Sequence, residues 1–413
     1  MLKSVSDPRQ SFVSKLFTPF SIKQWVLKLP FDKLQKGSLT LDLFGETYRF
    51  EGQQAGIHAD LIILKPFRAY WLMKTQGELG FAQAYFEHAI DTRSLYSLMH
   101  LGYENQQALA GLLSHKTLNK LHLVKHRKRH NSEHNSKKNI SYHYDLGNVF
   151  YQKWLDKTMS YSSGIFEASD DTLEQAQQQK YARLVEQLNA KPGDEVLEIG
   201  CGWGGMMEAL LEKKVKVKGL TLSKEQQLYA QQRLNRFYKD DYEVAYQDYR
   251  HEIHQYDHIV SIEMFEAVGK EYWNTYFQTL NNTLKLDGNA ALQVITINEQ
   301  YAQEYQSSVD FIQTYIFPGG LLPSVEQLKS LAKKHGFELT NLYEFGYDYA
   351  KTCLLWKEAF NDNSVELKQK GYDQKFQKMW NYYLDYCAVG FETQHISVHQ
   401  LTLKKVEAIS DVK

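Results

Sequence analysis

Apolar and polar residues alternate from Gly37 to about Leu64, around Gly45, Glu46 and Gly52, which predicts short antiparallel strands joined by turns. From about Phe67 to Leu121 the period lengthens. Ala82, Tyr85, Phe86 and Ala89, and then Leu95, Leu98 and Met99, recur at helical spacing. Residues 1–122 therefore read as a small α+β N-terminal domain. Residues 123–140 carry Lys125, Arg127, Lys128, Arg129, Lys137 and Lys138 among polar neighbours and read as a basic linker. This segment is a solvated connector or a patch for anionic phospholipid headgroups.

Over residues 141–413 the pattern changes again. Strand-like runs at Glu195 to Ile199, Val215 to Leu222, Tyr242 to Tyr246, His258 to Glu263 and Ala290 to Ile297 alternate with helical segments. That alternation predicts an α/β domain, a Rossmann-like parallel sheet with helices on both faces. The last two runs are apolar enough to be buried on both faces. From Gln369 to Val398 the pattern is helical and rich in Tyr. No internal repeat is present.

Composition narrows the function. A chain of 413 residues with 48 Lys+Arg against 49 Asp+Glu has room for two cores and carries no excess charge that would favour nucleic acid as its partner. The cysteines Cys201, Cys353 and Cys387 have no zinc or disulfide spacing, so a metal site is not expected and a reducing cytoplasm fits. No export signal and no run of about 18 apolar residues is evident, so a lipid substrate would be met at the membrane surface. Aromatic residues make up 14% of the chain, 28 of them Tyr, enough to line a large apolar cavity as well as fill cores.

The chemical signal is the segment Glu198-Ile199-Gly200-Cys201-Gly202-Trp203-Gly204-Gly205, an apolar strand running into a glycine turn and a helix near Met206. Glycines there let backbone approach a ligand at the carboxyl edge of the sheet. The Lys-Ser/Thr pair of a phosphate loop is absent, and so is the acid that a dinucleotide enzyme places at the end of the next strand. That strand ends instead in Thr221-Leu222-Ser223. Ser223 and Gln226 read as a capping box, with Gln226 also near enough to reach a ribose.

Several strings together resemble the cyclopropane-fatty-acyl-phospholipid synthase family of class I S-adenosylmethionine-dependent methyltransferases. They are Tyr142-His143-Tyr144-Asp145-Leu146-Gly147-Asn148, Met159-Ser160-Tyr161-Ser162, VLEIGCGWGG, GLTLSKEQ, QDYR, Met264-Phe265-Glu266, YIFPGG with LPS, and FGYDY. The resemblance implies an enzyme that transfers a methyl(ene) group from S-adenosylmethionine to the cis double bond of an unsaturated phospholipid acyl chain, forming a cyclopropane. Its contacts to the methyl donor would come from Tyr161, Ser162, Glu198, Gly200, Cys201, Gly202, Trp203, Gly204, Thr221, Leu222, Ser223 and Gln226.

The resemblance also implies a carbocation intermediate and a bound bicarbonate as base. Aromatic faces stabilise a cation without trapping it, and Tyr161, Phe166, Phe265, Tyr315, Phe317 and Tyr349 are candidates for that role or for core packing. Glu266 and Tyr349 match the family's bicarbonate-binding set. Two members depart from it: Ser163 stands in place of a cysteine, and Gln293 in place of a histidine. Both still hydrogen-bond, but the histidine's proton relay is lost. A related methyltransferase that alkylates acyl carbon and gives a methyl-branched or methyl-alkene product is therefore an alternative. So is a non-catalytic lipid-binding protein on a vestigial fold. Cys387 falls at the family's late active-site cysteine, although no activating base lies near it in sequence, and a small apolar role is open as well. The expected setting is cytoplasmic, peripheral at the inner face of an anionic membrane, with a homodimer left open.

Overall fold

The computed structural model describes residues 29–109 and 146–406, together with Lys23, Gln24, Val26 and Asn135. The basic residues of the linker and the string Tyr142, His143, Tyr144 and Asp145 lie outside the described residues. The chain divides into two compact units, Met1–Leu121 with Tyr372–Val389, and His122–Gly371 with Gly390–Lys413. The first unit thus reaches beyond residue 122 to take in most of a late helix, Gln374–Glu392.

In the first unit, β1 (Lys36–Leu43), β2 (Glu46–Glu51) and β3 (Gln54–Ile63) form a sheet with the short β4 (Ile90–Asp91), in the order β2-β1-β3-β4. β1 and β2 are antiparallel, as the turn at Gly45 predicts. β1 and β3, however, run parallel. The crossing this requires is made by small residues. A Cβ on Gly37 would lie 2.3 Å from the Ile57 carbonyl oxygen, and one on Gly52 2.8 Å from the Gly37 carbonyl oxygen, so only glycine lets these backbones meet. Helices α1 (Pro66–Phe86), which begins on a proline and breaks at Gly77, and α2 (Leu95–Glu104), capped by Ser94, follow. The late helix belongs here through Tyr382, whose ring lies 5.4 Å from Phe86, and Lys378, 3.1 Å from Asp91.

The second unit is built on seven strands in the order β10-β11-β9-β8-β5-β6-β7. β5 (Glu195–Ile199), β6 (Lys216–Thr221), β7 (Tyr242–Tyr246), β8 (Tyr256–Ile262) and β9 (Leu284–Ile297) are parallel, as expected. β10 (Phe337–Glu344) and β11 (Ile396–Lys405) add an antiparallel end, so the sheet is mixed and the chain is extended, not helical, from Ile396.

Helices cover both faces. On one, α3 (Leu173–Leu188), α4 (Gly205–Leu211) and α5 (Lys224–Leu234) pack on Val196, Val217 and Val260. On the other, α6 (Trp273–Thr283) and α7 (Val325–Lys334) pack on Leu197, Ile259 and Leu292. After β10 comes α8 (Gly346–Asp362). Among the described residues no helix is long and apolar enough to cross a membrane.

Candidate active site

β5 ends at Ile199, and the chain enters α4 through Gly200, Gly202 and Gly204 at φ 86°, 51° and 84°. These are left-handed backbones that glycine adopts without strain. At Gly202 no atom stands within 4 Å of where a Cβ would point, so the turn is an open cradle. The N–H groups of Gly200 and Cys201 both donate to the Leu220 carbonyl, at 3.0 and 2.9 Å, fastening the turn to β6. Trp203 donates its indole N–H to Asn148 at 2.7 Å. Burial and the nearby Glu198 push the Cys201 thiol up, which leaves it a small apolar side chain rather than a nucleophile.

Glu198 is buried, and burial raises its carboxyl to about 8, with Lys180 opposing that shift. Its Oε2 has no hydrogen-bond partner among the described residues. A buried acceptor without a donor beside an open glycine turn fits a cationic ligand, as the ammonium and sulfonium of S-adenosylmethionine are.

The adjoining strand end is built differently from the capping box expected of it. Ser223 caps α5 by accepting from the Gln226 N–H at 3.3 Å. The Gln226 side chain turns instead to accept from the Thr221 hydroxyl at 2.9 Å. Thr221, Ser223 and Gln226 are thus a fixed polar rim at the carboxyl end of β6, with Leu222 half-buried between them.

Ser162 lies in the segment leading to α3 and is pinned from that helix. Gln177 donates to its carbonyl at 2.8 Å, and the Lys180 ammonium donates to its hydroxyl at 2.7 Å. The next residues along the chain are held by α8, where Gly164 donates to the Thr352 hydroxyl at 3.2 Å and Phe166 to Asp348 at 3.1 Å. α8 also carries Tyr349, so one helix positions both the Ser163 segment and the Tyr349 hydroxyl.

Ser163, Gln293 and Tyr349 do come together, and the group they surround is the carboxylate of Glu263. Its Oε1 accepts from the Ser163 backbone N–H at 3.0 Å and from Gln293 Nε2 at 2.8 Å. Its Oε2 accepts from the Tyr349 hydroxyl at 2.5 Å. The Ser163 hydroxyl points elsewhere, to the Gly164 carbonyl at 2.9 Å, so the carboxylate is held by the Ser163 backbone and not by the side chain that stands in place of the cysteine. Sheet register assembles the group. Ile262 is paired with Gln293 and Gln293 with Gln400, and the Glu263 N–H donates to the Gln293 carbonyl at 2.7 Å.

Burial pushes Glu263 up, while the bonds from Tyr349, Gln293 and Ser163 and the charge of Lys180 pull it down. Glu266 stands apart from this set. Its Oε1 accepts from the Ile295 N–H, its Oε2 is buried without a partner among the described residues, and burial together with the neighbouring Glu263 charge raises it to about 8.

The aromatic candidates separate. Tyr161 lies 6.3 Å from Phe317 and 5.4 Å from Trp356, and Trp356 lies 6.0 Å from Tyr349, giving a ring-lined wall near the carboxylates. Phe265 is core, stacked on Trp273 at 5.6 Å. Phe166 sits under the Lys351 ammonium at 3.9 Å, and Tyr315 packs on Phe311 at 5.4 Å. Cys387 is half-buried and falls in the first compact unit, whereas the other candidates lie in the second.

Glu263, Lys180 and Gln400 are the site residues that motif reading passed over. The signal for Glu263 was present: an acid at the carboxyl end of an apolar strand, three residues before Glu266.

Known proteins resemble this chain along the same lines. The family model described as mycolic acid cyclopropane synthetase matches residues 131–401. The cyclopropane-fatty-acyl-phospholipid synthase of Escherichia coli K12 is 38% identical over 265 residues, 64% of this chain and 66% of that protein. The tuberculostearic acid methyltransferase UfaA1 of Mycobacterium tuberculosis is 36% identical over 278 residues, 64% of this protein and 64% of that one. The match therefore spans just under two thirds of these relatives.

Among solved structures, the cyclopropane synthase MmaA2 from Mycobacterium tuberculosis superposes with a TM-score of 0.62 at 33% identity, over 65% of this chain and 98% of that one. The mycolic acid cyclopropane synthase CmaA1 complexed with SAH and CTAB gives 0.61 at 33% identity, with the same coverage. The second unit has the class I S-adenosylmethionine-dependent methyltransferase fold.

Proposed function

Since this chain belongs to the mycolic acid cyclopropane synthetase family, we propose that it is an S-adenosylmethionine-dependent methyltransferase acting on the cis double bond of an unsaturated phospholipid acyl group, and that it closes a cyclopropane. The observation that carries this reading is the pairing of an open glycine turn with a buried, donor-held carboxylate and a wall of rings. No activated nucleophile stands among the described members of the site, so it is suited to moving a proton rather than to covalent attack. S-adenosylmethionine, when bound, supplies an electrophilic methyl. Glu198 and the glycine turn would hold it, with Thr221 and Gln226 at the rim.

The remaining residues serve the cation that forms on the acyl group. The faces of Tyr161, Phe317 and Trp356 offer it π density without a reactive lone pair. Excluding water from such a site prevents capture of the cation as an alcohol. Loss of a methyl proton to a carboxylate then closes the ring.

A second product is favoured by one observation. Gln293 stands where the family resemblance expects histidine, and an amide donates a hydrogen bond without relaying a proton. The mycobacterial tuberculostearic acid methyltransferase matches this chain about as well as the cyclopropane synthase does, so the alternative is a methyl-alkene, by loss of a different proton, or a methyl-branched chain where a reductant supplies hydride.

The first unit suits contact with a membrane. Phe44, Leu64, Phe67 and Trp71 are 43%, 45%, 41% and 53% exposed, and the register places Phe44 and Leu64 next to the paired strand ends Leu43 and Ile63. Aromatic residues grouped in this way settle at a lipid interface.

Mass spectrometry of lipids from cells expressing the protein tests the function. Gain of one CH₂ that survives mild hydrogenation is the expected result. A gain that takes up hydrogen identifies the methyl-alkene, and unmodified lipid together with no binding of S-adenosylmethionine overturns the enzymatic reading.

A further inference from the structure

Glu263 has a backbone that its residue type resists. It directly follows β8 at φ 48°, in the left-handed region where a side chain costs roughly 1–2 kcal/mol and glycine costs nothing. Strain kept at a buried site points to a job for the side chain. The carboxylate takes hydrogen bonds from three separate places, the Ser163 N–H, Gln293 and Tyr349. The residue as a whole is half-buried, although Ser163 and Gln293 around it are fully buried. A carboxylate held by three donors is fixed in place to receive a proton.

These three donors are the ones the family resemblance assigns to a bound bicarbonate. They are already engaged. The Tyr349 hydroxyl and the Ser163 N–H have one hydrogen each, and the Gln293 amide, which also lies 3.4 Å from the Ser163 carbonyl, has two. A second anion would find few donors to bind and would meet the Glu263 carboxylate that already occupies them. We propose that Glu263 is itself the general base of the reaction, a resident carboxylate in the position of an external anion. This rests on the alkylation proposed above.

The step balances within the site. The alkene π pair forms a bond to the donor methyl carbon as the carbon–sulfur bond breaks, and sulfur keeps that pair as a thioether. Glu263 takes one proton from the transferred methyl, and the C–H pair becomes the second ring bond. Glu263 is then a neutral acid and returns its proton to solvent as product leaves. Lys180, Glu266 and Glu198 are the titratable groups around this exchange, with the Lys180 ammonium favouring the return to carboxylate.

Turnover on vesicles of unsaturated phospholipid, measured in bicarbonate-depleted buffer and after bicarbonate is added, separates the cases. The unmodified protein is expected to work equally well in both. Glu263→Gln is expected to lose roughly 100-fold or more in turnover while still binding S-adenosylmethionine. Glu263→Gly relieves the backbone and vacates the three donors, so it should fold, be inactive alone and regain activity with bicarbonate or formate. Stimulation of the unmodified protein by bicarbonate overturns the proposal but leaves the alkylation intact. Full activity of Glu263→Gln, or a folded, donor-binding Glu263→Gly that neither anion restores, also overturns it. No alkylated lipid from the unmodified protein in either buffer removes the functional reading and this proposal with it.

Discussion

The side-chain amide of Gln400 donates to Oε1 of Gln293 at 3.0 Å across the paired strands β11 and β9. With that oxygen occupied, Gln293 presents its nitrogen to Glu263, the only arrangement in which an acceptor-only carboxylate is satisfied. Gln400 is buried and acts on the site through Gln293. Gln400→Leu is expected to strand the buried Gln293 oxygen, costing about 1–3 kcal/mol in stability, and to let the amide turn. Turnover should fall between roughly 10- and 100-fold while KM for the methyl donor is unchanged. A fall in stability with turnover intact would make Gln400 merely structural.

The exposed group of the first unit is open to a separate test. Phe67 and Trp71 stand four residues apart on α1, so both lie on one face of its first turns. The Phe67→Ala, Trp71→Ala double variant should lower binding to phospholipid vesicles at least roughly 30-fold, since each large side chain entering the interface contributes on the order of 1–3 kcal/mol. S-adenosylmethionine binding should be untouched, and the two are measured separately by vesicle sedimentation and calorimetry. Unchanged sedimentation would remove this face from the membrane contact.

Much of the second unit was legible because β5, β8 and the Ala290 to Ile297 part of β9 are largely apolar runs, and Gly200 marks the end of β5. β11 was not, since it buries His399, Gln400 and Thr402 on an interior strand and so lacks the apolar run that marks such strands. The parallel pairing of β1 with β3 was hidden for another reason. Alternation reports which face a residue occupies and is blind to strand direction, and the crossing depends on Gly37, Gly52 and Gly56 meeting in space.

At the site, the strings located Ser163, Gln293 and Tyr349 individually. Which carboxylate they share was set by strand register and by the left-handed turn at Glu263, neither of which a motif encodes. Glu266 drew attention because it sits inside a recognisable string, whereas Glu263 sits just before it.

Glu198 offers a test of the donor crevice. Burial raises it to about 8, so near neutrality most of the molecules without the methyl donor carry it as the acid, which cannot hold a cation by charge. Affinity for S-adenosylmethionine should therefore strengthen as pH rises through about 8 and level off about one unit above it. Glu198→Gln should bind at least roughly 10-fold more weakly and lose that rise, because a charge-assisted bond has been removed. Calorimetric titration across the range reads both. A flat profile in the unmodified protein would exclude Glu198 as the cation's partner.

Glu266 bears on stability before it bears on catalysis. In the folded protein burial and the Glu263 charge raise its carboxyl from 4.5 to about 8, so the folded state holds a proton that the unfolded state has released. A raised carboxyl contributes stability that is full below the unfolded value and is lost as pH climbs through the folded one. Glu266→Gln keeps the shape and removes the titration. Relative to the unmodified protein, without methyl donor, the variant should therefore gain in Tm steadily between about pH 5 and pH 8, and the difference should level off above that. Lys180, which burial pulls below 10.5, adds an opposite slope at higher pH, but it is common to both proteins and cancels in the difference. A difference in Tm that stays constant across this range would show that Glu266 is already ionised in the fold and that its unpaired oxygen has a partner the geometry does not supply.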